Sequence, residues 1–350
     1  MKTPPLALSL FLSIGTLLIL QGCGLVERPP ATPPTSGIVT RAPTRVPSSS
    51  PGVVATSGLT PTAIPEPSPI AMEAGLIRLT DDPAPDGFPA WSSDGEQIAF
   101  ISERDGFPEL YVMNSDGTEP TRLSQDSFHR KLSPSWRPGT RQIALAVVVD
   151  TVQVFLVDVD RSRALPFEVG LGLRPVSAVA SNSWDPSWSP DGQRLALSMQ
   201  DDVGDYQVFV MNADGSGRAP LTEGPALDRA PAWSPDGKTI VFVSDRDGNR
   251  ELYLVRLNEE GLTRLTRDPA SEGIASWSPD GKRLVFSSDR DGDWDLYLLS
   301  LANGAARRLT SDPGTDSFPA WSPDGKAIAF VSDRAGNAEI YLMDAPTLED

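Results

Sequence analysis

Downstream of Leu76 the chain is punctuated rather than continuous. Short runs in which apolar and polar side chains alternate, such as KAIAFVS (326–332) and ELYLV (251–255), are separated by clusters of Gly, Pro, Asp and Ser. A period of two bounded by turn formers predicts short β-strands rather than helices. The punctuation itself repeats. FPAWSSDGEQIAF, APAWSPDGKTIVF, IASWSPDGKRLVF and FPAWSPDGKAIAF follow one template, DPSWSPDGQRLAL is close to it, and LSPSWRPGTRQIAL is a degenerate copy. The template Trp recurs at Trp91, Trp136, Trp188, Trp233, Trp277 and Trp321, at spacings of 45, 52, 45, 44 and 44 residues.

Six such units, each with room for four short strands, predict an all-β fold: a six-bladed β-propeller of four-stranded blades. Within a unit, strand a reads PAWS, strand b KxIAFVS, strand c ELYLV and strand d TRLT, with SPDG, SDRDGN and NADG as the connections. In SPDG, Pro presets φ at the second turn position and Gly accepts the left-handed position that ends the turn. The Trp side chains are expected in the core between blades. The last unit stops at Glu339–Met343 without a TRLT strand, while Leu76-Ile77-Arg78-Leu79-Thr80 precedes the first. The expected closure pairs that N-terminal strand with the C-terminal blade and removes an open edge.

The region before the repeats has another character. Leu6 to Leu20 is an unbroken run of 15 residues without charge, short for a membrane span and suited to a signal-peptide core. It ends in Leu20-Gln21-Gly22-Cys23, which resembles a lipobox in which Cys23, the single cysteine, receives a diacylglyceryl group after cleavage. An ordinary signal peptide and an uncut anchor are the alternatives. Residues 1–22 thus read as a lipoprotein signal peptide, 23–72 as a lipidated spacer and 73–350 as the propeller. Between Pro29 and Ile70 stand 11 Pro, no aromatic residue and only Arg41, Arg45 and Glu66 as charges, a composition too poor in apolar surface to fold. At about 3.1 Å per residue in polyproline II geometry, the spacer reaches on the order of 100 Å.

Charge and composition then narrow the function. The whole chain carries a formal −17 and the propeller, with 26 basic against 45 acidic residues, −19. A phosphate-tracking nucleic-acid surface is disfavoured, and a monomer is the default because like charge opposes self-association. One Cys and one His leave no material for a Cys- or His-rich metal site, and no cofactor is expected. The alternating oxygens of Asp245–Asn249, Asp289–Asp295 and Asp333–Arg334 suit Ca²⁺ in type but not in the EF-hand spacing, so a hairpin loop held by local Asp and Arg contacts is the expected role.

Two candidate sites follow. Five residues before the template Trp stand Asp86, Asp228, Glu272 and Asp316, which in a propeller would ring one tunnel mouth and attract a cation or a basic segment. The competing reading has each acid capping its own turn. The second unit breaks the template, with His129, Arg130 and Lys131 before its strand a and an irregular exit containing Trp184; an exposed Trp beside basic residues has the composition of an interface hot spot.

The WSPDGK, SDRxGNxEIY and RLT elements resemble TolB-type propeller repeats over residues 76 to about 344, and are similar to the propellers of prolyl oligopeptidase-type and tricorn-type proteases. That resemblance implies the fold and a periplasmic or cell-surface setting. TolB proteins carry a small α/β domain ahead of the propeller where this chain has the lipobox and spacer, and no GxSxG elbow occurs anywhere in the sequence. The expected function is a non-catalytic, membrane-tethered extracytoplasmic propeller that binds an envelope protein or peptide of basic character. A ligand or glycan sensor, or a propeller enzyme acting on polysaccharide, is the alternative.

Overall fold

The computed structural model describes residues 75–125, 129–164, 175–177, 182–259 and 261–346. The expected signal peptide, the expected lipidation site Cys23 and the expected spacer lie outside the described residues. The chain opens with β1 (Ile77–Arg78) and then lays down its sheets in order. Blade 1 is β2 (Asp86–Trp91), β3 (Gln97–Ser102), β4 (Glu109–Asn114) and β5 (Thr121–Arg122); blade 2 is β6 (Arg130–Trp136), β7 (Gln142–Val148) and β8 (Val152–Asp158), followed by the short helix α1 (Val159–Ala164). Blade 3 is β9 (Ser183–Trp188), β10 (Arg194–Gln200), β11 (Tyr206–Asn212) and β12 (Ala219–Pro220), and blade 4 is β13 (Asp228–Trp233), β14 (Thr239–Ser244), β15 (Glu251–Arg256) and β16 (Leu262–Arg264). Blade 5 is β17 (Glu272–Trp277), β18 (Arg283–Ser288), β19 (Asp295–Ser300) and β20 (Ala306–Arg308), and blade 6 is β21 (Asp316–Trp321), β22 (Ala327–Ser332) and β23 (Glu339–Asp344). All pairings are antiparallel, and β1 lies outermost in the sixth sheet, with Ile77 opposite Leu342 and Arg78 opposite Tyr341.

The first strand of each blade is the inner one. β2, β6, β9, β13, β17 and β21 touch in sequence, and β21 touches β2 again, so the ring closes. Alternation along the second strand serves both neighbours: Ala99 and Ile101 pack towards blade 2, while Ile98 and Phe100 pack towards blade 6. Each of the six junctions holds its own hydrophobic cluster, and every template Trp packs in one.

The hairpin between the first two strands is cross-braced. Ser234 Oγ donates to Asp236 Oδ1 at 2.6 Å, Asp236 accepts the Lys238 N–H at 3.1 Å, and Gly237 sits at φ 68°. The Ser hydrogen bond holds the turn carboxyls of Asp94, Asp191, Asp236 and Asp324 below the usual range.

Blade 2 gains its fourth edge without a regular strand. Val176 N–H donates to Val154 O at 2.8 Å and Val154 N–H to Ser177 Oγ at 2.9 Å. Leu265 and Thr266 make the same two contacts with Leu252 in blade 4. Pro175-Val176-Ser177 is therefore the counterpart of Arg264-Leu265-Thr266, inside a stretch whose sequence suggested only an irregular exit.

Candidate functional site

The four acids expected at a tunnel mouth are placed on the inner strands, but not as free charges. Asp86, Asp228, Glu272 and Asp316 are fully buried, and each receives an arginine from its own second hairpin: Arg104, Arg246, Arg290 and Arg334, at 2.8, 2.8, 2.7 and 2.8 Å. Each guanidinium also lies over the blade's Tyr ring, as Arg290 does at 4.4 Å from Tyr297. Each acid thus ties the inner strand to the hairpin between the second and third strands of its own blade, and its charge is met there by that arginine. Burial still pushes Asp86 up to about 6 and Glu272 up to about 7.

A second set of buried acids was missed. Glu109, Glu251, Asp295 and Glu339 open the third strands and bind the RLT arginines Arg122, Arg264, Arg308 and Arg78. The signal was in the sequence: wherever the third strand opens with an acid, the fourth carries Arg, and where Gln153 or Gln207 holds the equivalent position, the fourth edge carries Pro175 or Pro220. The SDRDG oxygens are likewise engaged, Asp247 accepting from Tyr253 Oη and from Arg264 at 2.8 Å, and Asp245 from the Leu227 N–H at 2.8 Å.

The expected basic and aromatic hot spot does not form one exposed patch. Lys131 is fully buried and reaches across the blade 1/2 junction to Glu109 Oε2 at 3.0 Å. Trp184 is half-buried and donates its indole N–H to Tyr206 Oη at 3.2 Å. Arg130 stands 3.6 Å from Glu103, and His129 precedes it half-buried.

What the inner strands do assemble is a cavity of about 470 Å³ on the propeller axis. Two rings of side chains face it. One comprises Ala90, Ser135, Ser187, Ala232, Ser276 and Ala320, the residues before each Trp; the other comprises Phe88, Ser133, Asp185, Ala230, Ile274 and Phe318. Pro138, Pro235, Pro279 and Pro323 of the turns form its outer wall. Five members of the second ring adopt left-handed backbone at a bulge: Phe88 (φ 56°), Ser133 (47°), Asp185 (51°), Ala230 (50°) and Phe318 (51°). A non-Gly residue there costs on the order of 1 kcal/mol or more, a strain met repeatedly at binding sites.

The second ring is two-sided. Phe88 and Phe318 meet with ring centroids 4.4 Å apart and join Ile274 in an apolar cluster, whereas blades 2 and 3 contribute Ser133 and Asp185. Ser133 Oγ donates to Asp185 Oδ1 at 2.9 Å. Burial pushes the Asp185 carboxyl above the usual range, against the lowering by Ser133 and Arg229. Asp185 is the single acidic residue of the cavity wall.

The ring before the Trp sets how each Trp is held. After Ala90, Ala232 and Ala320, the next blade's indole N–H donates to that alanine's carbonyl at 3.0 to 3.1 Å. After Ser135, Ser187 and Ser276, the indole N–H groups of Trp188, Trp233 and Trp321 are buried without a partner, and each ring lies under an arginine at 4.7 to 5.1 Å. Ser187 and Ser276 accept the following Trp's backbone N–H instead, at 3.4 and 3.0 Å.

This geometry defines a β-propeller with an axial cavity and an ion-paired frame. The family model described as the TolB beta propeller domain matches residues 172–275 and 266–347, and the chain belongs to that family. A "Protein TolB homolog" of Chlorobium luteolum is 30% identical over 158 residues, 44% of this chain and 33% of that protein, so the chain spans about a third of the length of this curated relative. Among solved structures, the putative TolB of Agrobacterium tumefaciens superimposes with a TM-score of 0.59 at 20% identity, covering 78% of this chain and 97% of that one. TolB from Acinetobacter baumannii gives 0.57 at 19%, covering 79% and 65%. At these identities the solved structures speak for the fold alone.

Proposed function

We propose that this chain is a non-catalytic binding propeller of the bacterial cell envelope, exported, lipidated at Cys23 and held by the 23–72 spacer at the extracytoplasmic side of a membrane. It acts as a monomer and takes an extended segment of basic character, from an envelope protein or peptide, into the axial cavity. The observation that carries this reading is the cavity itself: about 470 Å³, walled by Pro, Ala, Ser and aromatic side chains, with one carboxylate, Asp185, on one side. An extended chain presents side chains to such walls, and a cationic group on it is placed at the polar Ser133 and Asp185 side of the cavity, where it shares Asp185 with Arg229. The TolB homologues and structures support a propeller of this kind.

The test is a crosslinking pull-down from the native membrane fraction with the wild-type chain and Ser135→Arg, which fills the cavity from a half-buried position. A partner captured by wild type and lost by the variant, at an unchanged melting temperature, is the expected result. Equal capture by both moves the site off the axis. Cys23→Ser tests the tether: the variant should leave the membrane fraction, and its retention there would contradict lipidation.

A further inference from the structure

The sheet register fixes where the spacer leaves the propeller. β1 runs antiparallel to β23, with Arg78 opposite Tyr341 and Ile77 opposite Leu342, so the chain upstream of Ile77 runs past Met343 towards Asp344. Gly75 lies against Asp344, close enough that a Cβ on it would come within 2.7 Å of Oδ2. Asp344 is in turn opposite Ala327, the first residue of β22, two residues after the blade 6 SPDG turn. Ser322 and Pro323 of that turn belong to the cavity wall, together with Pro138, Pro235 and Pro279. The spacer therefore departs on the face at which the cavity lies.

Reach and chemistry match as well. From the outer strand to the axis is on the order of 20 Å, four strands at about 4.8 Å, a distance that about seven extended residues cover. Arg45 lies 30 residues before Gly75, so it reaches the axis with slack. Arg41 and Arg45 are the only cations between Pro29 and Ile70, set among Pro43, Pro47 and small residues, and the propeller they face carries −19. A proline-rich chain already extended in solution loses little entropy on entering an aromatic- and proline-walled site.

We infer that the chain's own segment Thr40–Pro47 is the resident occupant of the axial cavity, with Arg41 or Arg45 directed to Asp185, so that a partner must displace it. This rests on the cavity being the site for an extended basic segment. The spacer is then a guard as well as a tether, and a segment better matched to the cavity exchanges with it.

The experiment uses the full chain with a photo-crosslinking benzoylphenylalanine at position 43, irradiated at nanomolar concentration. Crosslinks should map within one chain to the peptides holding Phe88–Trp91 and Ser133–Trp136, and vanish in the Arg41→Glu/Arg45→Glu double variant. A synthetic peptide of residues 38–48 added in trans should bind that double variant about tenfold more tightly than wild type, since the competing occupant is gone. Because the substitutions lie in the spacer, loss of the fold does not confound the result. Crosslinks confined to the outer blade edges, or equal peptide affinity for both chains, would overturn the guard while leaving the cavity as a binding site. Peptide binding to neither chain would overturn the guard and count against the cavity reading too.

Discussion

Blades 1, 4, 5 and 6 and blades 2 and 3 solve the same packing problem with different polar chemistry. The four regular blades each bury two carboxylates, one on the inner strand and one on the third, and meet each with an arginine. Blades 2 and 3 carry Lys131 and Ser183 at the first position, and Gln153 and Gln207 at the second. Their fourth edges carry Pro in place of Arg. The inner-strand acid is lost together with its hairpin arginine and the third-strand acid together with its fourth-strand arginine, while Lys131 of blade 2 joins Arg122 on Glu109, and the same two blades supply Ser133 and Asp185 to the cavity. Regularity marks the scaffold; the departure from it marks the polar side of the site.

The largest effects should ignore this division. Trp321→Ala in a regular blade and Trp188→Ala in an irregular one should each cost about 3 to 5 kcal/mol by denaturant unfolding, because both fill a junction core. A cost confined to one of them would mean that the two sectors do not share a core. Next, Glu251→Ala removes the buried partner of Arg264, which keeps Asp247 and the Thr266 carbonyl, and should cost about 2 kcal/mol. Gln207→Ala, which removes hydrogen bonds to Thr222 and to the Gly224 carbonyl at 3.0 and 2.6 Å, should cost about 1 kcal/mol.

The pH dependence comes from Asp86, Glu272 and Asp295 of the regular blades, and Asp185 of blade 3 is raised in the same direction. Burial raises Asp86 to about 6, Glu272 to about 7 and Asp295 to about 6, all above their unfolded values. Between about pH 5 and 7 the folded state therefore keeps protons that the unfolded state has released, and stability falls as pH rises through that window. Melting temperatures from pH 5 to 8 should decline, and Glu272→Gln should flatten the decline. A rise over the same range would reverse the assignment. The smallest effect is Ser276→Ala, which recreates the alanine arrangement for Trp321; a change below about 1 kcal/mol accompanied by a shift in tryptophan emission is expected.

Much of this was legible beforehand. The Trp spacing gave six blades, and the SPDG and TRLT signatures placed the turns and outer strands. The first half of each inner strand was not read as strand, because the bulge breaks the period of two and, in blades 1 and 5, Asp86-Gly87 and Glu272-Gly273 look like a loop. The acids were found and their arginines missed: Asp228 and Arg246 are 18 residues apart and meet only once Asp228 is set opposite Ser244. The pairing was nonetheless encoded, since the acid and the hairpin arginine occur in the same four units and are lost together in the other two. Asp185 carried no such signal. It is a single residue in a copy close to the template, and its neighbours in the cavity come from five other units of the chain.

The central claim is that binding resides in the irregular sector and stability in the regular one. It is tested most directly by measuring partner capture and melting temperature side by side for Asp185→Asn and Asp228→Asn. The account predicts that Asp185→Asn loses capture and keeps its melting temperature, while Asp228→Asn keeps capture and melts earlier. Capture lost with Asp228→Asn alone would contradict it.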